Sequence, residues 1–309
     1  MEDQFIHTSL SDGITSVIPG IENAAPIPVL YAESLTEKEF VKNWVDKSKP
    51  CLIKGAIKHW SAMSNWKEKD YWIANSRNEN VKVGAFRNFA LPRPDQMEEM
   101  PFHDAVERLF AQKDDVFKIS ARVIAADTHV AALEKDTPGF PFLPDAGIPR
   151  KYPRKRILMY HRASSNWHFH PMDETLMCQV SGSKRITVFP PHLPEMRTVS
   201  RFLDQDRYLS GEQLDPSINV KPMTADVEEG DAMYIPPFWY HGLYPTQDEV
   251  GFTLVYCWKS PWHVMGDMSN YLLRDLYKRH PYMFKNNQLL IKSFSGYAWL
   301  RHLIWKAGQ

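Results

Sequence analysis

Between residues 156 and 260 the chain is a succession of short β-branched and aromatic runs, "RILMYHRA", "ETLMCQV", "KRITVFPP", "DAMYIPP" and "VGFTLVYCWK", separated by turn signals such as "SGS" and "EEGD". Strands of this length at this spacing favour an antiparallel double sheet or barrel. The flanks read differently. "SLTEKEFVKNWVDKSKP" offers Ser34 as a helix N-cap and sets Phe40, Val41, Trp44 and Val45 at helical spacing, before the buried-strand run "PCLIKGA". "NVKVGAFR" alternates like a strand, whereas "FHDAVERLFAQ" places Phe102, Ala105, Val106 and Leu109 on one helical stripe. After Pro261 the pattern is helical again, in "DMSNYLLRDLYKR" and "GYAWLRHLIWKA".

The expected architecture is therefore mainly β with α additions. Residues 1–26 read as an amino-terminal arm, 27–135 as an α/β part packed on the core, 136–260 as the barrel, and 261–309 as a carboxy-terminal helical extension. The proline- and glycine-dense stretch 136–153 reads as an ordered crossing loop. With 309 residues the chain can bury the core such a barrel needs.

Charge and cysteine usage narrow the setting. Lys plus Arg and Asp plus Glu both total 37, so no global field recruits nucleic acid or acidic lipid. Cys51, Cys178 and Cys257 fall in no C-x-x-C spacing, which points to packed thiols in a reducing compartment. The start lacks the features of a secretory signal, and no apolar run approaches the roughly 18 residues of a membrane span. A cytoplasmic protein is the expectation.

Chemistry concentrates in "WHFHPMDE", residues 167–174. On a strand, His168 and His170 share a face while Trp167 and Phe169 pack on the other. Two imidazoles brought together on a half-buried face carry a desolvation cost that a shared metal ion offsets. Glu174 keeps the same parity if the strand continues, but Pro171 bends or ends it and makes Asp173 a rival ligand. A third imidazole is offered by "EGDAMYIPPFWYHGLYP": a Gly-Asp turn, a strand, two prolines, then His241. Two ligands from one strand and one from a later strand leave open metal positions for substrate or oxygen. His161 and His263 sit in no such pattern. Trp167, Trp239, Tyr240 and Trp258 are candidates to wall a pocket, although most aromatics serve packing and only one or two are expected to face substrate.

At these residues the sequence resembles the cupin superfamily. His168, His170 and Glu174 meet its H-x-H…E pattern, and Gly230, Pro236 and His241 meet its second motif. More narrowly, "ETLMCQVSGSKRITVFPP" with "GDAMYIPPFWYHGL", preceded by "KPCLIKGAIKHWSAMSNWKEKDYW", is similar to the JmjC, or cupin-like, 2-oxoglutarate oxygenases. The resemblance implies a double-stranded β-helix (jelly roll) that holds Fe(II), takes 2-oxoglutarate as cosubstrate and activates O2 to hydroxylate a C–H bond. It maps the diacid-binding lysine onto Lys184 and an assisting hydroxyl onto Ser165. Thr175 and Tyr256 stand roughly where many relatives carry asparagines beside the cosubstrate.

One departure matters. The family reads His-x-Asp where this chain has His168 and His170, so either a neutral imidazole replaces the carboxylate or the frame shifts to His170 with Asp173. Which of His170, Asp173 or Glu174 completes the site stays open from sequence. Two other readings follow: a three-histidine cupin dioxygenase acting without 2-oxoglutarate, and a non-catalytic binding module. A protein, nucleoside or small-molecule substrate is compatible with the family. The carboxy-terminal stretch "YAWLRHLIWKAG" suits either a membrane surface or a dimer contact, and a homodimer is the preferred reading because carboxy-terminal helices mediate dimers in related enzymes.

Overall fold

The computed structural model describes residues 18–279 apart from 87–96, 115, 145, 206–211, 216 and 219, together with positions 289, 292, 293, 296, 297, 299, 300 and 303 of a carboxy-terminal helical stretch. The strands among them are β1 (Ala25–Pro26), β2 (Val29–Tyr31), β3 (Cys51–Lys54), β4 (Asn80–Phe86), β5 (Glu98–Pro101), β6 (Val116–Val123), β7 (Lys155–His161), β8 (Asp173–Ser181), β9 (Lys184–Phe189), β10 (Met223–Val227), β11 (Ala232–Ile235), β12 (Tyr240–Pro245) and β13 (Val250–Lys259). They form a large sheet in the order β2-β3-β11-β8-β13-β7-β6-β4-β5 and a small one in the order β1-β10-β9-β12. The central pairings are antiparallel.

The two sheets pack face to face as a double-stranded β-helix. Leu52, Met177 and Met233 of the large sheet meet Ile186, Val188 and Leu243 of the small one in a single apolar cluster. The turns that close it are those the sequence marks. Gly182, at φ 73°, links β8 to β9, and Gly230, at φ 88°, precedes β11. Side chains other than glycine rarely adopt such angles. Asp231 fixes the second turn by accepting from the Gly55 amide at 3.0 Å and from Lys54 Nζ at 2.8 Å.

Outside the barrel lie helices α1 (Glu37–Phe40), α2 (Ala62–Asn65), α3 (Lys69–Ala74), α4 (Phe102–Ala111), α5 (Met196–Asp204) and α6 (Tyr271–Arg279). The N-cap of α1 is Thr36 rather than Ser34. Thr36 accepts from the Glu39 amide while Glu39 reaches back to the Thr36 amide, a reciprocal pair open to threonine two residues further on. Phe102, Ala105, Val106 and Leu109 of α4 are all buried, as their stripe predicts. They join Phe40, Trp66, Trp72 and Phe252 in the main core beneath the large sheet.

Two strands differ from the sequence reading. β6 and β10 carry Lys118, Ser120, Arg122, Thr224 and Asp226, and these polar residues hide the strand pattern. The end of the amino-terminal segment is also structural, because β1 adds in parallel to β10. Residues 1–17 lie outside the described residues. None of the described helices is long and apolar enough to cross a membrane.

Candidate metal centre

Backbone pairing brings the histidines together. His168 and His241 form a single antiparallel bridge, exchanging N–H···O bonds of 3.1 and 2.8 Å. Phe238, held at φ 66° in the turn between β11 and β12, donates its amide to the His170 carbonyl at 3.0 Å. Two contacts thus clamp the 168–170 segment onto the chain that carries His241. The expected strand through His170 is not formed. Pro171 removes a donor and Met172 turns the chain at φ 73°, so that β8 starts only at Asp173.

The three imidazoles offer ligand atoms that all lie within 4.8 Å of one another, the one such group of histidine, cysteine and carboxylate side chains among the described residues. Their tautomers follow from their partners. Nδ1 of His168 faces the Asn166 carbonyl at 2.7 Å and Nδ1 of His241 faces the Trp239 carbonyl at 2.8 Å. A carbonyl only accepts, so both Nδ1 atoms carry hydrogen and both Nε2 atoms present a lone pair. His170 Nδ1 lies 2.8 Å from Thr175 Oγ1, and its Nε2 stands 3.1 Å from that of His168. Two facing lone pairs at that distance repel unless a proton or a cation lies between them. The spacing suits a shared ion, since two cis ligands at metal–nitrogen bonds of about 2.1 Å stand about 3 Å apart.

Burial, reinforced by the neighbouring imidazoles, pushes His170 and His241 well below the ordinary histidine value, and burial lowers His168. All three imidazoles are therefore neutral at pH 7. The residues fit a divalent ion bound through nitrogen, with open positions on the cavity side.

That cavity, of about 280 Å³, lies in the barrel mouth and includes all three histidines, Ser165, Thr175 and Lys184 in its wall. Lys184 is buried, with its Nζ 3.6 Å from the centre of the Tyr160 ring. Burial, and repulsion from Lys118, lower its value to about 7. Among the described residues no carboxylate pairs with it. Ser165 Oγ accepts from the Leu243 amide at 3.0 Å, which fixes the loop before His168 to β12.

Three of the expected contributors, Asp173, Glu174 and Tyr256, are directed elsewhere, and a fourth, Thr175, is engaged with a histidine. The Asp173 carboxylate accepts from the amides of Arg150, Lys151 and Tyr152 at 2.7, 2.7 and 3.0 Å, so it anchors the crossing loop and is not brought to the histidines. Glu174 sits in the main core, where Tyr234 and Ser260 donate to it at 2.6 and 2.5 Å; burial raises it to about 7. Thr175 reaches the site, but its hydroxyl is engaged with His170. Tyr256 falls on the opposite face of β13 from the cavity-lining Val255 and accepts from Arg154 at 2.8 Å.

The aromatic candidates are also packing residues. Trp167 stacks on Tyr240 at 5.8 Å, Trp258 joins the main core, and Trp239 donates to the Ser48 carbonyl at 2.9 Å. The cavity aromatic is instead Tyr160. Sequence reasoning also passed over Lys118 and Arg156, which line the cavity from β6 and β7. Their alternation with apolar neighbours was the available signal, since it places them on one sheet face.

Comparison with known proteins agrees with the fold. The family profile described as the cupin-like domain matches residues 36–261. The chain is 26% identical over 247 residues to Jumonji C domain-containing protein 5 of Drosophila melanogaster, covering 75% of this chain and 60% of that protein. It is 21% identical to lysine-specific demethylase JMJ32 of Arabidopsis thaliana, over 78% of this chain and 84% of the relative. It is 24% identical to human tRNA wybutosine-synthesizing protein 5, over 75% and 78% respectively.

Proposed function

The chain belongs to the cupin-like domain family, and from that premise we propose that it is an Fe(II)- and 2-oxoglutarate-dependent oxygenase that hydroxylates a C–H bond. One observation carries the proposal: three convergent Nε2 atoms and a buried lysine that no carboxylate pairs with among the described residues face the same cavity. His168, His170 and His241 would hold the iron. Lys184 would receive the distal carboxylate of the diacid, a charge-assisted contact that restores its ammonium in a dry site. Ser165 keeps the approach to His168 in register with β12.

When bound, iron and 2-oxoglutarate supply the oxidation, in which O2, the diacid and the C–H substrate become succinate, CO2 and the hydroxylated product. The chain orients these partners and excludes water through its apolar wall of Leu158, Met177, Ile235 and Val255. The test is turnover: succinate formation that needs iron and O2 and is lost in Lys184→Met supports the reading. An iron-loaded protein that neither binds nor consumes 2-oxoglutarate contradicts it.

The neutral His170 at the usual aspartate position favours a second reading, a three-histidine dioxygenase that acts on substrate without the diacid. Oxygen consumption with a substrate but no 2-oxoglutarate distinguishes it. The names of the relatives mention lysine demethylation and wybutosine synthesis, and either a protein or a nucleoside substrate is consistent with the proposal. A homodimer through the terminal helices is supported by the exposed Tyr297, Trp299, Leu300 and Leu303. Sedimentation of the full chain and of its Trp299→Glu variant tests it, a dimer in the first and a monomer in the second being expected.

A further inference from the structure

The cavity wall is basic. Lys118, Arg156 and Lys184 line it, and no Asp or Glu does among the described residues. A divalent ion held by three neutral imidazoles keeps its full charge, whereas a carboxylate ligand would reduce it by one. Adding the three side-chain cations and setting the two negative charges of 2-oxoglutarate against the total leaves three positive charges in a partly dry space. Uncompensated buried charge is costly, so a ligand that brings negative charge is favoured there.

The cations fall into two groups. Lys184 lies over Tyr160, and Lys118 pairs with Tyr160 across β6 and β7. Arg156 occupies the other end of the same strand face, four residues or about 13 Å along β7. Its guanidinium stacks 4.9 Å over Tyr152, whose ring sits 5.2 Å from that of His170. One terminal nitrogen contacts the Cys257 sulfur at 3.7 Å, and Nε is buried without a hydrogen-bond partner among the described residues.

We infer that Arg156 is a substrate-binding residue that seats a carboxylate or phosphate group of the molecule to be oxidised, separately from the diacid site at Lys184. The planar guanidinium pairs with either group through parallel hydrogen bonds, and its stacking on Tyr152 fixes its plane. The substrate is thereby an anionic molecule rather than a cationic side chain. The inference rests on the oxygenase reading for the place of 2-oxoglutarate, and deepens it by naming the chemistry of the partner.

The test is calorimetric titration of Fe(II)-loaded protein, saturated with 2-oxoglutarate without O2, with acetate and separately with inorganic phosphate. Saturable binding of one anion per chain is expected. Arg156→Gln should weaken it at least tenfold and Arg156→Lys less, while 2-oxoglutarate affinity changes less than twofold in both. The tighter anion of the two assigns the substrate group. No saturable binding to the wild type, or equal binding in Arg156→Gln, overturns the inference. So does a tenfold loss of 2-oxoglutarate affinity in Arg156→Gln, which would give Arg156 to the cosubstrate. If the wild type binds no 2-oxoglutarate, the oxygenase reading fails, and the same titrations on metal-loaded protein still decide Arg156 by the tenfold criterion. Retained iron stoichiometry and thermal unfolding establish that each variant is folded.

Discussion

His168 and His241, far apart in sequence, exchange both backbone hydrogen bonds of one antiparallel bridge, at 3.1 and 2.8 Å. The distance between these imidazoles is therefore set by main-chain pairing. It also depends on the small residue beside His241: a Cβ at Gly242 would meet the Trp167 ring at 2.9 Å. Trp167 directly precedes His168, so Gly242→Ala is expected to displace that ligand. Destabilisation of about 1–3 kcal/mol is anticipated from overpacking, read by urea denaturation, together with weaker metal binding in a competition titration.

Thr175 supports His170 from behind. With a metal on Nε2, the Nδ1 hydrogen donates to Thr175 Oγ1, at a separation of 2.8 Å. Thr175→Val keeps the shape and removes the acceptor, and about a 10- to 100-fold loss of metal affinity is expected. Thr175→Ser should recover most of it in the same competition assay.

Lys184 gives a proton signature. Its value near 7 leaves it mostly neutral at pH 8 before the diacid arrives. A carboxylate opposite the amine favours the charged form, so binding should take up close to one proton at pH 8. Calorimetry in buffers of different ionisation enthalpy reads this as a buffer-dependent heat. Lys184→Met should show no such dependence and at least 100-fold weaker 2-oxoglutarate binding.

Glu174 makes stability depend on pH. Its folded value of about 7 lies above the ordinary 4.5, so the folded state holds a proton that the unfolded chain releases. The resulting linkage costs nothing below the ordinary value, grows as pH rises between the two, and is complete above 7. Wild type should lose about 3 kcal/mol between pH 4.5 and 8 relative to Glu174→Gln. Urea denaturation of both proteins across that range checks the difference; parallel profiles would show that Glu174 ionises normally.

Much of the barrel is legible in the sequence because β7, β8, β9, β11 and β13 are apolar runs bounded by turn residues, and β13 matches its run end to end. β6 escapes because Lys118 and Ser120 look like solvent-facing residues until the fold turns them into the cavity. The histidines are legible through their motif. The partners of Asp173 and Glu174 are not, because the amides of 150–152 and the hydroxyls of Tyr234 and Ser260 come from distant segments. Tyr256 is misread for a simpler reason: alternation along β13 gives the cavity Val255 instead.

The central claim is one iron on three imidazoles with 2-oxoglutarate bound beside it. Anaerobic titration of Fe(II)-loaded protein with 2-oxoglutarate, followed by visible absorption, tests it most directly. A metal-to-ligand charge-transfer band that saturates at one diacid per chain and is absent in His241→Ala is the expected result. Full iron loading with no band at saturating 2-oxoglutarate, or an undiminished band in His241→Ala, would contradict it.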